Sequence, residues 1–164
     1  MKKIILYLLL LLFAPLTAMA GDVDEDLYKY EIEAVNGSSV TPGFIQIKVW
    51  SYGKQKTLTN NYCMRNAVHG VLFKGVMGNG VNAGLQALVP EGYEAHEKFF
   101  DDFFDGKYLQ FVQLANNGMR EAGDVIALKK KRYKFATTVT INLKALRAYL
   151  EGQNIIKPLD FLFD

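Results

Sequence analysis

Between residues 28 and 35 apolar and charged side chains alternate. Tyr28, Tyr30, Ile32 and Ala34 fall on one side, and Lys29, Glu31, Glu33 and Val35 on the other. A period of two predicts a strand. Asn36-Gly37-Ser38-Ser39 and Pro42-Gly43 are turn signals, and the alternation resumes over Phe44–Trp50. There Ile45, Ile47 and Val49 form the core-facing side, with Trp50 near its rim. The short connection predicts that these two strands are antiparallel neighbours.

From Lys54 to Lys74 the period lengthens. Cys63, Met64, Ala67, Val68, Val71 and Leu72 recur at steps of three and four, which predicts an amphipathic helix capped by Gly75. Gly75–Gly92 is rich in glycine yet carries Val76, Met77, Val81, Leu85, Leu88 and Val89. It predicts a long loop, with at most one helical turn near Leu85. Glu94–Asp105 predicts a helix with Phe99, Phe100, Phe103 and Phe104 on one side, ended by Gly106. Tyr108–Ala115 reads as a third strand and 124–131 as a fourth, with a turn at Asn116-Asn117-Gly118 between them. The clearest strand is 133–141, where Tyr133, Phe135, Thr137, Val139 and Ile141 share a side. Asn142 is placed to cap a final helix, with Gly152 at its C′ position. Together these predict one α+β domain: a mainly antiparallel sheet of about five strands with two to three helices on one face.

The N-terminus departs from this pattern. Lys2 and Lys3 precede an unbroken apolar run from Ile4 to Phe13, and Ala18-Met19-Ala20 is a small-x-small cleavage sequence. This is the three-part secretory signal pattern. The apolar run is too short to span a bilayer, which needs about 20 residues. The expectation is a signal peptide over 1–20, cleaved after Ala20, and a single domain over 21–164. That implies a bacterial, periplasmic or secreted product with no membrane span after cleavage. Without Lys2 and Lys3, seventeen basic residues face seventeen acidic ones. A neutral domain lacks the charge excess that phosphate backbones demand, so nucleic acid is not an expected partner.

No complete catalytic motif is present. Cys63 is the only cysteine, which excludes an internal disulfide. His69, six residues on, points about 240° around the helix from it, so Cys63 reads as a core residue rather than a nucleophile. One Cys and two His without ligand spacing exclude a zinc site. Asp101, Asp102 and Asp105 lack the calcium-loop alternation, and no cofactor is expected. Gly78-Asn79-Gly80-Val81-Asn82-Ala83 matches G-x-G-x-x-A, but follows a helix where a dinucleotide motif follows a strand. The three serines, Ser38, Ser39 and Ser51, fit no nucleophile elbow. Asn36-Gly37-Ser38 is a glycosylation sequon, a triplet common by chance. Lys129-Lys130-Lys131-Arg132 reads as a solvated hairpin tip or sheet edge.

From Tyr133 through VTINLKALRAYLEGQNII a strand runs directly into a capped helix and an apolar tail. With the helix of 54–74 set between strands, this element order resembles small exported bacterial α+β domains of cell-envelope and flagellar-assembly proteins. The resemblance implies binding or scaffolding, with an envelope protein or glycan as partner, and transfers no functional position. The expected function is a non-catalytic envelope binding or assembly domain. The expected contact region is the long loop and its borders: Lys74, Gly78, Asn79, Gly80, Asn82 and His96. The alternative is a hydrolase of envelope material using carboxylates assembled in space, from among Glu94, Glu97, Asp101, Asp102 and Asp124.

Overall fold

A computed structural model describes residues 28–35, 42–55, 58–78 and 84–158. The expected signal peptide over 1–20, the Asn36-Gly37 turn signal and residues 79–83 of the expected long loop lie outside the described residues. Five strands form one antiparallel sheet: β1 (Tyr30–Ala34), β2 (Phe44–Lys54), β3 (Val112–Leu114), β4 (Val125–Leu128) and β5 (Arg132–Asn142). Among the described residues three α-helices accompany it: α1 (Asn60–Phe73), α2 (Glu97–Phe104) and α3 (Leu143–Gly152). The α+β architecture read from the sequence is therefore present.

β2 and β5 pair along their full length, from Phe44 opposite Asn142 to Lys54 opposite Arg132. β1 lies on the outer side of β2. On the other side of β5, β3 pairs with its second half and β4 with its first. β1 thus forms one margin of the sheet, and β3 and β4 share the other.

Ile47 and Val49 of β2 are fully buried with Val139 and Ile141 of β5. They join Val68, Val71 and Leu72 of α1, Phe100, Phe103 and Phe104 of α2, and Leu146 and Leu150 of α3 in one core. All three helices therefore pack on one sheet face. The opposite face carries Lys48, Trp50, Tyr52 and Lys134, with both lysine ammoniums near the Trp50 ring, at 5.2 and 4.9 Å. Each lysine is held by an acid, Lys48 by Asp124 at 2.6 Å and Lys134 by Glu31 at 2.8 Å. Lys134 beside Glu31 holds that carboxyl below its ordinary range. Gly70 sits where α1 meets β1: a Cβ there would stand 2.0 Å from Ile32 Cδ1, so the missing side chain is what admits Ile32.

Five element boundaries differ from the sequence reading. The fourth strand, expected over 124–131, spans only Val125–Leu128, because the chain turns back at Lys129–Lys131 to pair with β5. The first helix begins at Asn60, not Lys54, with Thr59 as its cap. The preceding polar residues 51–54 extend β2 instead, because Arg132–Phe135 of β5 lie opposite them. Most of 108–115 is not strand. Lys107–Gln110 forms a 3₁₀ turn that buries Tyr108, leaving only Val112–Leu114 to pair. The helix expected over 94–105 opens with a 3₁₀ turn at Glu94–His96. The left-handed residue after α3 is Asn154, φ 58°, and Gly152 remains helical. Asn154 N–H donates to Glu151 O at 3.0 Å and Ile155 N–H to Leu150 O at 2.9 Å, a Schellman closure that asparagine tolerates.

Candidate functional site

The long segment after α1 is anchored at both ends. Val76 and Leu85 exchange backbone hydrogen bonds of 2.7 and 2.8 Å. Leu88 N–H and Val89 N–H donate to Val71 O and Leu72 O, satisfying carbonyls that a helix end leaves open. Val76 and Val89 are buried. Gly75 turns the chain at φ 74°, and a Cβ there would lie 2.3 Å from Leu85 O. The foot of the loop is thus a packed structural unit. Met77, just beyond it, is 85% exposed.

Beside this foot stands an aromatic cluster centred on His69. Arg65, His69 and Phe73 project from one side of α1, four residues apart. The Tyr28 ring stacks on His69 at 3.8 Å with an interplanar angle of 22°. Phe73, Phe104 and Tyr93 surround it at 4.8, 5.9 and 6.4 Å. Tyr30 Oη lies 2.7 Å from His69 Nδ1. Donation by this phenol places the ring proton on Nε2. Arg65 Nε donates to Tyr28 Oη at 3.1 Å, and Tyr93 Oη donates to Asp101 Oδ1 at 2.6 Å. Tyr28 is a non-glycine residue at φ 65°, an arrangement that costs about 1–2 kcal/mol and persists only where surrounding packing enforces it.

Burial pushes the His69 imidazolium down to about 3, and the positive charges of Lys74 and Arg65 add to the effect. Burial also raises the phenols of Tyr28, Tyr30, Tyr93 and Tyr108. His69 is therefore neutral and the tyrosines protonated over the whole physiological range. An imidazole this weakly basic is a poor proton acceptor. Tyr30 and Phe104 of the cluster are buried, and Tyr28, His69, Phe73 and Tyr93 are half-buried beside them, so it presents the outer parts of flat rings with hydrogen-bonding tips.

The expected contact residues fall as follows. Lys74 Nζ sits 3.9 Å from the centroid of the Tyr30 ring, tying the loop's first residue to the cluster, and burial lowers its pKa. Tyr93 does the same from the loop's far end. Gly78 is exposed, and Asn79, Gly80 and Asn82 lie outside the described residues. His96 packs edge-on against Phe100 and lines an open depression of about 510 Å³ with Glu97, Phe99 and Asp102. Glu94, Glu97, Asp101 and Asp102 are exposed on or beside α2, on the helical side of the sheet. Asp124 is buried against Lys48 on the opposite side. The structure thus divides the candidate acids between the two sides of the sheet. Cys63 is fully buried beside Ser51 and Thr137, and burial raises its thiol. Among the described residues no three His, Cys, Asp or Glu side chains could hold a metal, and no helix is long and apolar enough to cross a membrane.

In the sequence His69 is marked only by pointing away from Cys63 around the helix. The Arg65-His69-Phe73 spacing was the available sign of the cluster, but nothing in the sequence brings Tyr28, Tyr93 and Phe104 to it. Compared with known proteins, the chain matches no family model, no curated protein and no solved structure.

Proposed function

We propose that the chain is an exported, non-catalytic binding or assembly domain of the bacterial cell envelope. It meets a protein or glycan partner through the 74–92 segment and the aromatic surface at its foot. The observation that carries this reading is the placement of a neutral His69 among five aromatic rings, bracketed by the two ends of a loop whose Met77 projects into solvent. A fixed base from which Met77 and Gly78 stand exposed is a construction suited to partner recognition. Lys74, Gly78, Asn79, Gly80 and Asn82 would then contact the partner, with His96 at the border.

The test replaces Met77–Asn82 with a short Gly-Ser link and compares capture from envelope extract with that of the unaltered domain. The reading expects a folded variant that has lost its partner. A folded variant that captures the same partner would remove the loop from the binding surface.

A further inference from the structure

At the margin of the sheet opposite β1 lies a strand with the opposite design. Val125, Ile126 and Leu128 of β4 are 47%, 44% and 39% exposed, and Ala127 is exposed as well. Side chains alternate across a strand, so both faces of β4 carry partly exposed apolar side chains. Its inner edge pairs with β5, and among the described residues no strand pairs with its outer edge. The register gives the direction of each backbone group. Ala136 N–H donates to Asp124 O at 2.8 Å. Hydrogen-bonded pairs recur at every second residue of an antiparallel ladder, so Ile126 and Leu128 face β5. The N–H and C=O of Val125 and Ala127 face outward, ready for another strand.

Natural sheets blunt such edges, usually with charge on the strand itself. Here the charge lies only beyond it. Lys129, Lys130 and Lys131 form the exposed hairpin tip between β4 and β5, with Lys130 and Lys131 at φ 59° and 56°. Positive φ at these two positions is the ordinary geometry of a tight hairpin link. An apolar, unpaired edge ending in three lysines complements one kind of ligand.

We propose that the β4 edge receives an extended segment of a partner protein in which apolar and acidic residues alternate. The segment would add a strand beside Val125–Leu128 and set its acidic end against Lys129–Lys131. Main-chain bonds to Val125 and Ala127 would supply general affinity, and the lysine tip would choose the partner and direction. This surface lies at the other margin of the sheet from the His69 cluster and stands independently of the function proposed for that cluster.

The test uses the full domain and two fluorescent probe peptides, one alternating Val and Glu and the other alternating Val and Lys, read by anisotropy at low salt. The expected result is saturable binding of the Glu peptide alone. Ala127→Pro removes an outward N–H while leaving the bonds to β5, and should weaken binding at least tenfold. Reversing the tip with Lys129→Glu, Lys130→Glu and Lys131→Glu, which touches no packed residue, should weaken it by a similar factor. This second variant decides the matter if Ala127→Pro fails to fold. Equal binding of both peptides, or binding indifferent to the tip reversal, would overturn the proposal. A concentration-dependent dimer abolished by the Ala127→Pro variant would overturn it too, assigning the edge to a second copy of this chain.

Discussion

Tyr30 Oη and His69 Nδ1 meet at 2.7 Å, joining the marginal strand β1 to the middle of α1. When the phenol donates, Nδ1 must be unprotonated, and burial keeps the ring neutral by moving the imidazolium down to about 3. The unfolded chain takes up that proton near pH 6.5. The contribution of His69 is therefore complete above about pH 6.5 and is lost as pH falls from there toward 3, at up to about 1.4 kcal/mol per pH unit. Between pH 6.5 and 5 the stabilising ion pair of Glu31 is still intact, because its depressed carboxyl loses its contribution only at lower pH. Urea unfolding should show a falling midpoint across that window. In His69→Phe the fall should be much reduced.

Gly75 holds the foot of the loop. Gly75→Ala combines a left-handed φ of 74° with a Cβ only 2.3 Å from Leu85 O, and neither strain has a side-chain remedy. The expected loss is about 2–4 kcal/mol by denaturant titration, with earlier hydrogen exchange at Val76, Leu88 and Val89. An unchanged midpoint would mean that the foot is not held as the Val76–Leu85 pairing implies.

Cys63 should behave as a core residue. Its thiol is fully buried and raised by that burial, so a thiol reagent should label it only after denaturation. Cys63→Ala should cost about 1 kcal/mol and leave partner capture intact. Fast labelling of the native protein would contradict its place on the buried side of α1.

Asn142 ends β5 and starts α3, its Oδ1 accepting from Ala145 N–H at 2.9 Å. Asn142→Ala should cost about 1 kcal/mol, measured by thermal melting, while Asn142→Asp should retain most of the stability.

Local pattern made much of the fold legible. The alternation of 44–50 and 133–141 located the two central strands, the 3.6-residue period located α1, and Asn142 marked the start of α3. Pattern failed where tertiary pairing overrode it. Ser51–Lys54 have little strand character, yet they continue β2 because β5 lies opposite. Tyr108–Phe111 resemble a strand, but burial of Tyr108 curls them into a turn. The two borders of the long loop were readable from its glycines and trapped apolar residues. The His69 cluster was not, because its rings come from β1, α1, α2 and the approach to α2, and only packing assembles them.

The most direct measurement is site-specific photo-crosslinking in envelope extract of the source cell. One photoreactive residue would replace Met77, which is 85% exposed at the loop, and a control would replace exposed Lys144 at the start of α3. A binding domain that uses the 74–92 segment should give one discrete adduct from position 77 and none from position 144. No discrete adduct at position 77, or the same adduct from both positions, would contradict it.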